Sequence, residues 1–365
     1  MKILLLGAAG FTGRAAAVML ARRDDVGELI LVDYDIRDAK RLAKALSPKC
    51  RWAMADVGKP LELSRLLEGI DAVASAVGPS AEYERTILHS CAAGGISAAT
   101  IGEGTVTSED RQAIDGAIRG AGVTAVIGCG LMPGWTELLA AHFLEAGNAT
   151  AIPTTARDGQ VSGQAGTPPV LKPRPAMDGQ VPRQAGMPPP QESRPPSAPA
   201  TRYLFYSPAR FGGYAFLRWV ANAITGPAPV PAGAPAGNYF GLPDGSRIGV
   251  PAGKAGFLTG RIVGAGAGLG AVGKEFSAAL LLWTRGWMAE PAGTPAAAAG
   301  VAAGDRFARV EDPQGNLAAG LLAETVVLLA ARTRKTTGLL PLPELLGRQE
   351  AERLATRSGA RIITG

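Results

Sequence analysis

Three glycines open the chemistry of this chain. Gly7, Gly10 and Gly13 follow the apolar run KILLL and lead into an alanine-rich stretch, in the order KILLLGAAGFTGRAA. At the end of a buried strand the first glycine permits a sharp turn. The second lets the backbone approach a diphosphate, and the third lets the next helix pack tightly on the sheet. Phe11 and Thr12 lie between the second and third glycines and are counted with the cofactor site, and the amides of the first helical turn then point at the anion. Asp33 closes the next apolar run, ELILVD, twenty residues after Gly13. A carboxylate there accepts hydrogen bonds from an adenosine ribose diol and repels a 2′-phosphate, which favours NAD. Arg14 and Arg37 can offset that repulsion, so NADP stays open beside NAD. Asp56 and Val57 end a third run, where an adenine edge would lie. Ala76, Val77 and Gly78, in SAVGP, end a fourth, near a nicotinamide ribose.

The elements that must position these residues alternate between strand and helix. KILLL reads as a buried parallel strand, ELILVD as the second, RWAMAD as the third and DAVASAVG as the fourth. ISAATI and TAVIGCG supply two more. Helices are expected over Ala15–Arg22, Ala39–Leu46, from Pro60 to Leu67 and over Ala81–Ala93, with a fifth capped by Thr107 or Ser108. Six such units imply an α/β fold, a Rossmann doubly wound parallel sheet over residues 1–150. Residues 151–200 carry a duplication of period twenty, DGQVSGQAGTPPVLKPRP from Asp158 and DGQVPRQAGMPPPQESRP from Asp178. Two copies cannot bury a core, and the prolines forbid a helix or ladder, so a disordered proline-rich insertion is expected. Strands over YLFY, NYFGLP, SRIGVP and RFARVEDPQG, with a turn at Pro243-Asp244-Gly245, mark a second globular α/β part at 201–315. A helix over Asn316–Arg332, apolar along one stripe, opens a tail at 316–365. The cations at its end, Arg332, Arg334 and Lys335, suit the helix dipole.

Composition narrows the function classes. A chain of 365 residues with 47% hydrophobic residues can bury two cores, and a net charge of +6 spread along it makes no nucleic-acid stripe. Cys50, Cys91 and Cys129 are far apart, and with two histidines they give no metal-ligand cluster, so no metal is expected. No signal peptide opens the chain, and the most apolar later stretch, Ile262 to Met288, is broken by Lys274, Glu275 and Arg285. The expectation is a cytoplasmic protein with no integral membrane segment, acting on a small molecule.

With these residues in hand, the chain resembles the saccharopine dehydrogenase-like NAD(P)-binding oxidoreductases. Its first part is similar to their cofactor domain throughout. GCGLMPGW, Gly128 to Trp135, is similar to the family's G-x-x-P-G loop, and TTGLLPLPELLG to its G-v-l-P-P-E tail. The resemblance implies that residues 201–315 form a mixed α/β substrate and dimerisation domain and that the tail at 316–365 packs back on the first domain. It implies a homodimer and hydride transfer to or from a small imine, amino acid or carbonyl compound. It also implies that Pro133, Gly134 and Trp135 face the substrate. The family's Tyr-x-Asp after the fifth strand is replaced here by Ala98 and Thr100 in GISAATIGE. That leaves Glu103, His142 and Lys254 as candidates for the catalytic acid or base. It also keeps an alternative open, a dinucleotide-binding protein without turnover that acts as a redox sensor or assembly component.

Overall fold

A computed structural model of the chain describes residues 1–102, 108–144, 200–207, 210, 214–252, 262, 276–277, 279–280, 293–331 and 336–365. The proline-rich stretch, the run from Ile262 to Met288 save for isolated positions, and the basic cluster at 332–335 lie outside these residues.

Two seven-stranded sheets organise the chain. The first is parallel throughout and begins with β1 (Lys2–Leu6), α1 (Phe11–Ala21), β2 (Glu28–Asp33), α2 (Ile36–Leu46), β3 (Cys50–Met54) and α3 (Pro60–Leu66). It continues with β4 (Ala72–Ser75), α4 (Ser80–Ala93), β5 (Ser97–Thr100), α5 (Ser108–Gly120) and β6 (Thr124–Val126). The spatial order β3-β2-β1-β4-β5-β6 reverses direction of growth at β1, the switch point where open α/β sheets bind ligands. Ile3 to Leu6 of β1 are fully buried, with β2 on one side and β4 on the other. Strands buried on both faces must be apolar at every position, which is why these runs read as continuous and not alternating.

Helix starts differ from the sequence expectation for local reasons. Helix α1 begins at Phe11 and not Ala15, because the turn at Gly10 leads directly into the helix. Helix α2 begins at Ile36, since the Asp35 carboxylate accepts from the amides of Arg37 and Asp38 and caps it.

After β6 the chain enters α6 (Trp135–His142), which lies on the second sheet. That sheet is built from β7 (Thr201–Tyr206), β8 (Gly226–Ala228), β9 (Gly237–Gly241), β10 (Arg247–Pro251), β11 (Ala297–Ala303), β12 (Arg306–Asp312) and β14 (Arg361–Thr364), with α7 (Tyr214–Ala223) following β7. Its pairings are antiparallel except between β7 and β10, so it is mixed. At the β9–β10 turn the Asp244 carboxylate accepts from the Ser246 amide.

Helix α8 (Leu317–Ala330) returns to the first sheet and packs on α1, β4 and β5. The stripe expected for it is a correction: Glu324 and Leu328 alone escape full burial, because the sheet, α1 and α10 (Arg348–Arg357) enclose it. The buried Asp312 carboxylate sets its start, accepting from the amides of Gly315 at 2.8 Å and Leu317 at 2.7 Å. Glu324 pairs with Arg23 at 2.8 Å beside α1. The tail then adds β13 (Gly338–Leu339) beside β6, α9 (Leu342–Leu345), α10 and finally β14 at the edge of the second sheet. No helix among the described residues is long and apolar enough to cross a membrane.

Candidate functional site

A cleft of about 750 Å³ opens at the carboxyl ends of β1 to β5. Gly7, Gly10, Phe11, Thr12, Asp33, Asp56, Val57, Ala76, Val77 and Gly78 all line it. Gly13 does not. A Cβ on Gly13 would stand 2.0 Å from the Gly7 carbonyl oxygen and 2.9 Å from the Ala8 Cα, so this glycine serves the close packing of α1 on its own loop. Gly7 has φ +72 and lies against the Ala76 backbone, which draws the β1 and β4 ends together. The helical ladder of α1 begins at the Arg14 amide, bonded to the Gly10 carbonyl at 2.9 Å. Its N-terminus has no capping side chain and no acid in its first turn. Helix α2, capped by Asp35, is the contrast. An uncapped helix start at the floor of a cleft fits an anionic group, and the positive end of the helix dipole favours one.

The outer half of the cleft is acidic. Asp33 Oδ2 accepts from the Ala9 amide at 2.8 Å and Oδ1 from the Asp35 amide at 3.1 Å, so this carboxylate ties the β2 end to the glycine loop. Asp35 and Asp38 line the same end. Arg14 donates to the Ala9 carbonyl and pairs with Asp38, which also holds Arg41 at 3.0 Å. Asp56 accepts from the Gly58 amide at 3.0 Å and shapes the turn after β3.

The inner half is apolar. Gly130, Leu131 and Met132 come from the loop after β6, Leu204 from β7, Phe216 and Trp219 from α7, and Ala318 from α8. Phe216 and Trp219 lie with ring centroids 5.9 Å apart at 35°. The expectation for Pro133, Gly134 and Trp135 therefore needs correction, since the three residues before them supply the wall. Trp135 is fully buried, its indole N–H donating to the Leu317 carbonyl at 3.4 Å, because α6 runs away from the cleft onto the second sheet. Gly134 has φ +129, and a Cβ there would stand 2.2 Å from the Gly130 carbonyl oxygen. It fixes the loop that presents Leu131 and Met132 and does not itself line the cleft.

The catalytic candidates fare unequally. His142 ends α6, its Nε2 2.9 Å from the Leu346 carbonyl, and it is not among the residues that line the cleft. Glu103 and Lys254 lie outside the described residues. One acid went unnoticed in the sequence. Glu84 on α4 is buried, and its Oε1 takes a short hydrogen bond from the Thr100 hydroxyl. Its Oε2 is buried without a partner among the described residues. It lies directly behind Gly102, where a Cβ would stand 2.6 Å from Oε1. Burial pushes the Glu84 carboxyl above the usual carboxylate range, against the weaker opposing pulls of Thr100 and Arg111. An acid inside an otherwise exposed-looking helix, SAEYER, gives no sequence signal of this burial. The cysteines are all buried; burial alone pushes Cys91 up to about 12 and, as the largest cause, does the same for Cys129, so neither is a nucleophile. No group of three potential metal ligands exists among the described residues.

A switch-point cleft with an uncapped helix start, built on a doubly wound sheet and closed by a second mixed sheet, is the arrangement of a Rossmann-type dinucleotide site. Residues 3–126 match the family model described as the saccharopine dehydrogenase NADP binding domain. The fold of the whole chain is similar to the apo saccharopine dehydrogenase (L-Glu forming) from Saccharomyces cerevisiae. That match has a TM-score of 0.53 at 14% identity and covers 100% of this chain and 99% of that one. The family model spans about a third of the chain, and the likeness at 14% identity is one of fold. Smaller likenesses include a Citrobacter triphenylmethane reductase (TM-score 0.30, 16% identity, 35% of this chain and 48% of that one). Another is the NADPH-dependent quinone oxidoreductase QOR2 of Escherichia coli (TM-score 0.28, 17% identity, 34% and 47%). No curated protein matches the sequence.

Proposed function

We propose that this chain transfers a hydride between a nicotinamide dinucleotide and a small imine, amino acid or carbonyl compound, with NAD the preferred cofactor. The observation that carries the reading is the glycine turn, which leaves the start of α1 uncapped and open to the cleft floor. The diphosphate rests against the amides of that first turn and over Gly10, whose missing side chain leaves it room. Asp33 accepts hydrogen bonds from the adenosine ribose, and Val57 with the Asp56 turn borders the base. Ala76, Val77 and Gly78 border the second ribose. Preference for NAD is supported by charge. A 2′-phosphate would face Asp33, Asp35 and Asp38, while Arg14 is already held by Asp38 and the Ala9 carbonyl.

The bound cofactor supplies the hydride chemistry, and the protein supplies position and the exclusion of water. Leu131, Met132, Phe216 and Trp219 keep the inner half dry. Among the described lining residues of that half, no titratable side chain is placed to exchange a proton with the substrate. Calorimetric titration with NADH and NADPH tests the cofactor reading. A lower Kd for NADH is expected, and a lower Kd for NADPH reverses the preference. Oxidation of NADH in carbonyl-plus-amine mixtures tests turnover. Tight dinucleotide binding without any oxidation across such a panel would favour a redox-sensing role.

A further inference from the structure

From the division of charge within the cleft we infer that its inner half takes an uncharged, flat apolar substrate, such as an aromatic or long-chain ketone or imine, and not an amino-dicarboxylate. The inference rests on the dinucleotide reading of the same cleft. Every carboxylate lining the cleft lies in the outer half: Asp33, Asp35, Asp38 and Asp56. The inner wall is Leu131, Met132, Leu204, Phe216, Trp219 and Ala318, with no cation among the described lining residues.

Basic side chains on β7 and α7, the elements that supply this wall, are engaged elsewhere. Arg202 pairs with Glu137 at 2.9 Å, and Arg218, on the same helix as the two rings, reaches Glu82 at 3.9 Å. The buried acid near this end, Glu84, lies behind Gly102 and could only repel a carboxylate if ionised. A substrate carboxylate drawn into this half would lose its water and gain neither a cation nor a polar side chain in return, which is strongly unfavourable. An apolar group gains burial on every side. The rings of Phe216 and Trp219, tilted 35° to each other with centroids 5.9 Å apart, form a broad face. Tyr206 meets Phe216 edge-on at 5.0 Å from behind and stiffens it. A planar group stacked on that face completes an aromatic cluster. The pattern is that of ligand sites in general, apolar walls with the polar groups confined to one end.

The test is calorimetric titration of the full chain saturated with oxidised NAD, so that no turnover intervenes. Benzylacetone is the neutral aromatic ketone and 2-oxoglutarate the keto diacid. Benzylacetone is expected to bind at least tenfold more tightly than 2-oxoglutarate. Met132→Lys, at a half-buried position on the wall, should bring the two affinities together or invert them. Trp219→Ala, also half-buried, should weaken benzylacetone at least fivefold. The wild-type comparison stands alone if either variant misfolds. A wild-type preference for 2-oxoglutarate, or no heat from benzylacetone once NAD is bound, overturns the inference and leaves the cofactor reading intact. Failure of NAD itself to bind overturns both.

Discussion

Alanine at Gly10 and alanine at Gly13 should fail in different ways. At Gly13 the new methyl carbon would stand 2.0 Å from the Gly7 carbonyl oxygen and 2.8 Å from the Gly7 carbonyl carbon. Both are backbone atoms, and Gly7 is itself wedged against the Ala76 backbone, so the loop must move by more than an ångström. Overpacking of this kind costs about 1–3 kcal/mol, and backbone on both sides of the clash places Gly13→Ala at the upper end or beyond. For a domain of this size that lowers Tm by about 6–12 °C. At Gly10 the methyl would meet one atom, the Gly7 carbonyl oxygen, at 3.3 Å. The stability cost stays within about 1 kcal/mol, the typical loss for alanine at a helix cap. That methyl faces the cleft, however, and occupies the space of the diphosphate. Gly10→Ala should therefore lose at least tenfold in NADH affinity, about 1.4 kcal/mol, with a nearly unchanged Tm. Differential scanning fluorimetry and calorimetric titration on the two variants read the split. If Gly10→Ala binds NADH like the wild type, the cradle reasoning is wrong. If Gly13→Ala melts with the wild type, the packing argument fails with it.

Three further outcomes follow from the same geometry. Asp33→Ala should weaken NADH binding at least tenfold and narrow the gap to NADPH, because it removes both the ribose acceptor and the tether to the Ala9 amide; equal Kd values before and after would refute the ribose role. Glu84→Gln should change the pH profile of stability. The folded-state pKa of Glu84 is raised above the ordinary 4.5, so its favourable contribution is complete below that value and is lost as pH rises through the folded pKa. The glutamine variant should thus gain on the wild type as pH rises above 4.5 in thermal melts, and parallel profiles would contradict a raised Glu84 pKa. Leu321→Ala, at a fully buried position on α8, should cost about 2–5 kcal/mol if the C-terminal helix is part of the first sheet's core; a loss below about 1 kcal/mol would place the helix outside it.

The parallel sheet was legible in the sequence because each strand is buried on both faces and must be apolar throughout, and because glycines and prolines punctuate the helices between. Strand β11, AAAGVAA, was not. Alanine and glycine carry no β signal of their own, and the strand exists because β7 and β12 flank it. Helix α8 was found, but its burial on all sides depends on α1 and α10, which no local pattern reports. The outer half of the cleft was legible because one glycine motif and three strand ends fall on a single sheet edge. The inner wall was not, since Leu204, Phe216, Trp219 and Ala318 are ordinary apolar residues brought there by tertiary packing alone. Pro133 to Trp135 misled for the same reason: a short motif marks a loop but not which of its residues faces inward.

The central claim is that a nicotinamide dinucleotide lies along this cleft with its nicotinamide end toward the inner half, within energy-transfer range of Trp219. Sensitised emission of NADH on tryptophan excitation tests it most directly, with calorimetry run in parallel. A saturable signal is predicted in the wild type, falling in Trp219→Phe while calorimetric binding persists. No saturable signal, or one unchanged by that substitution, would contradict it.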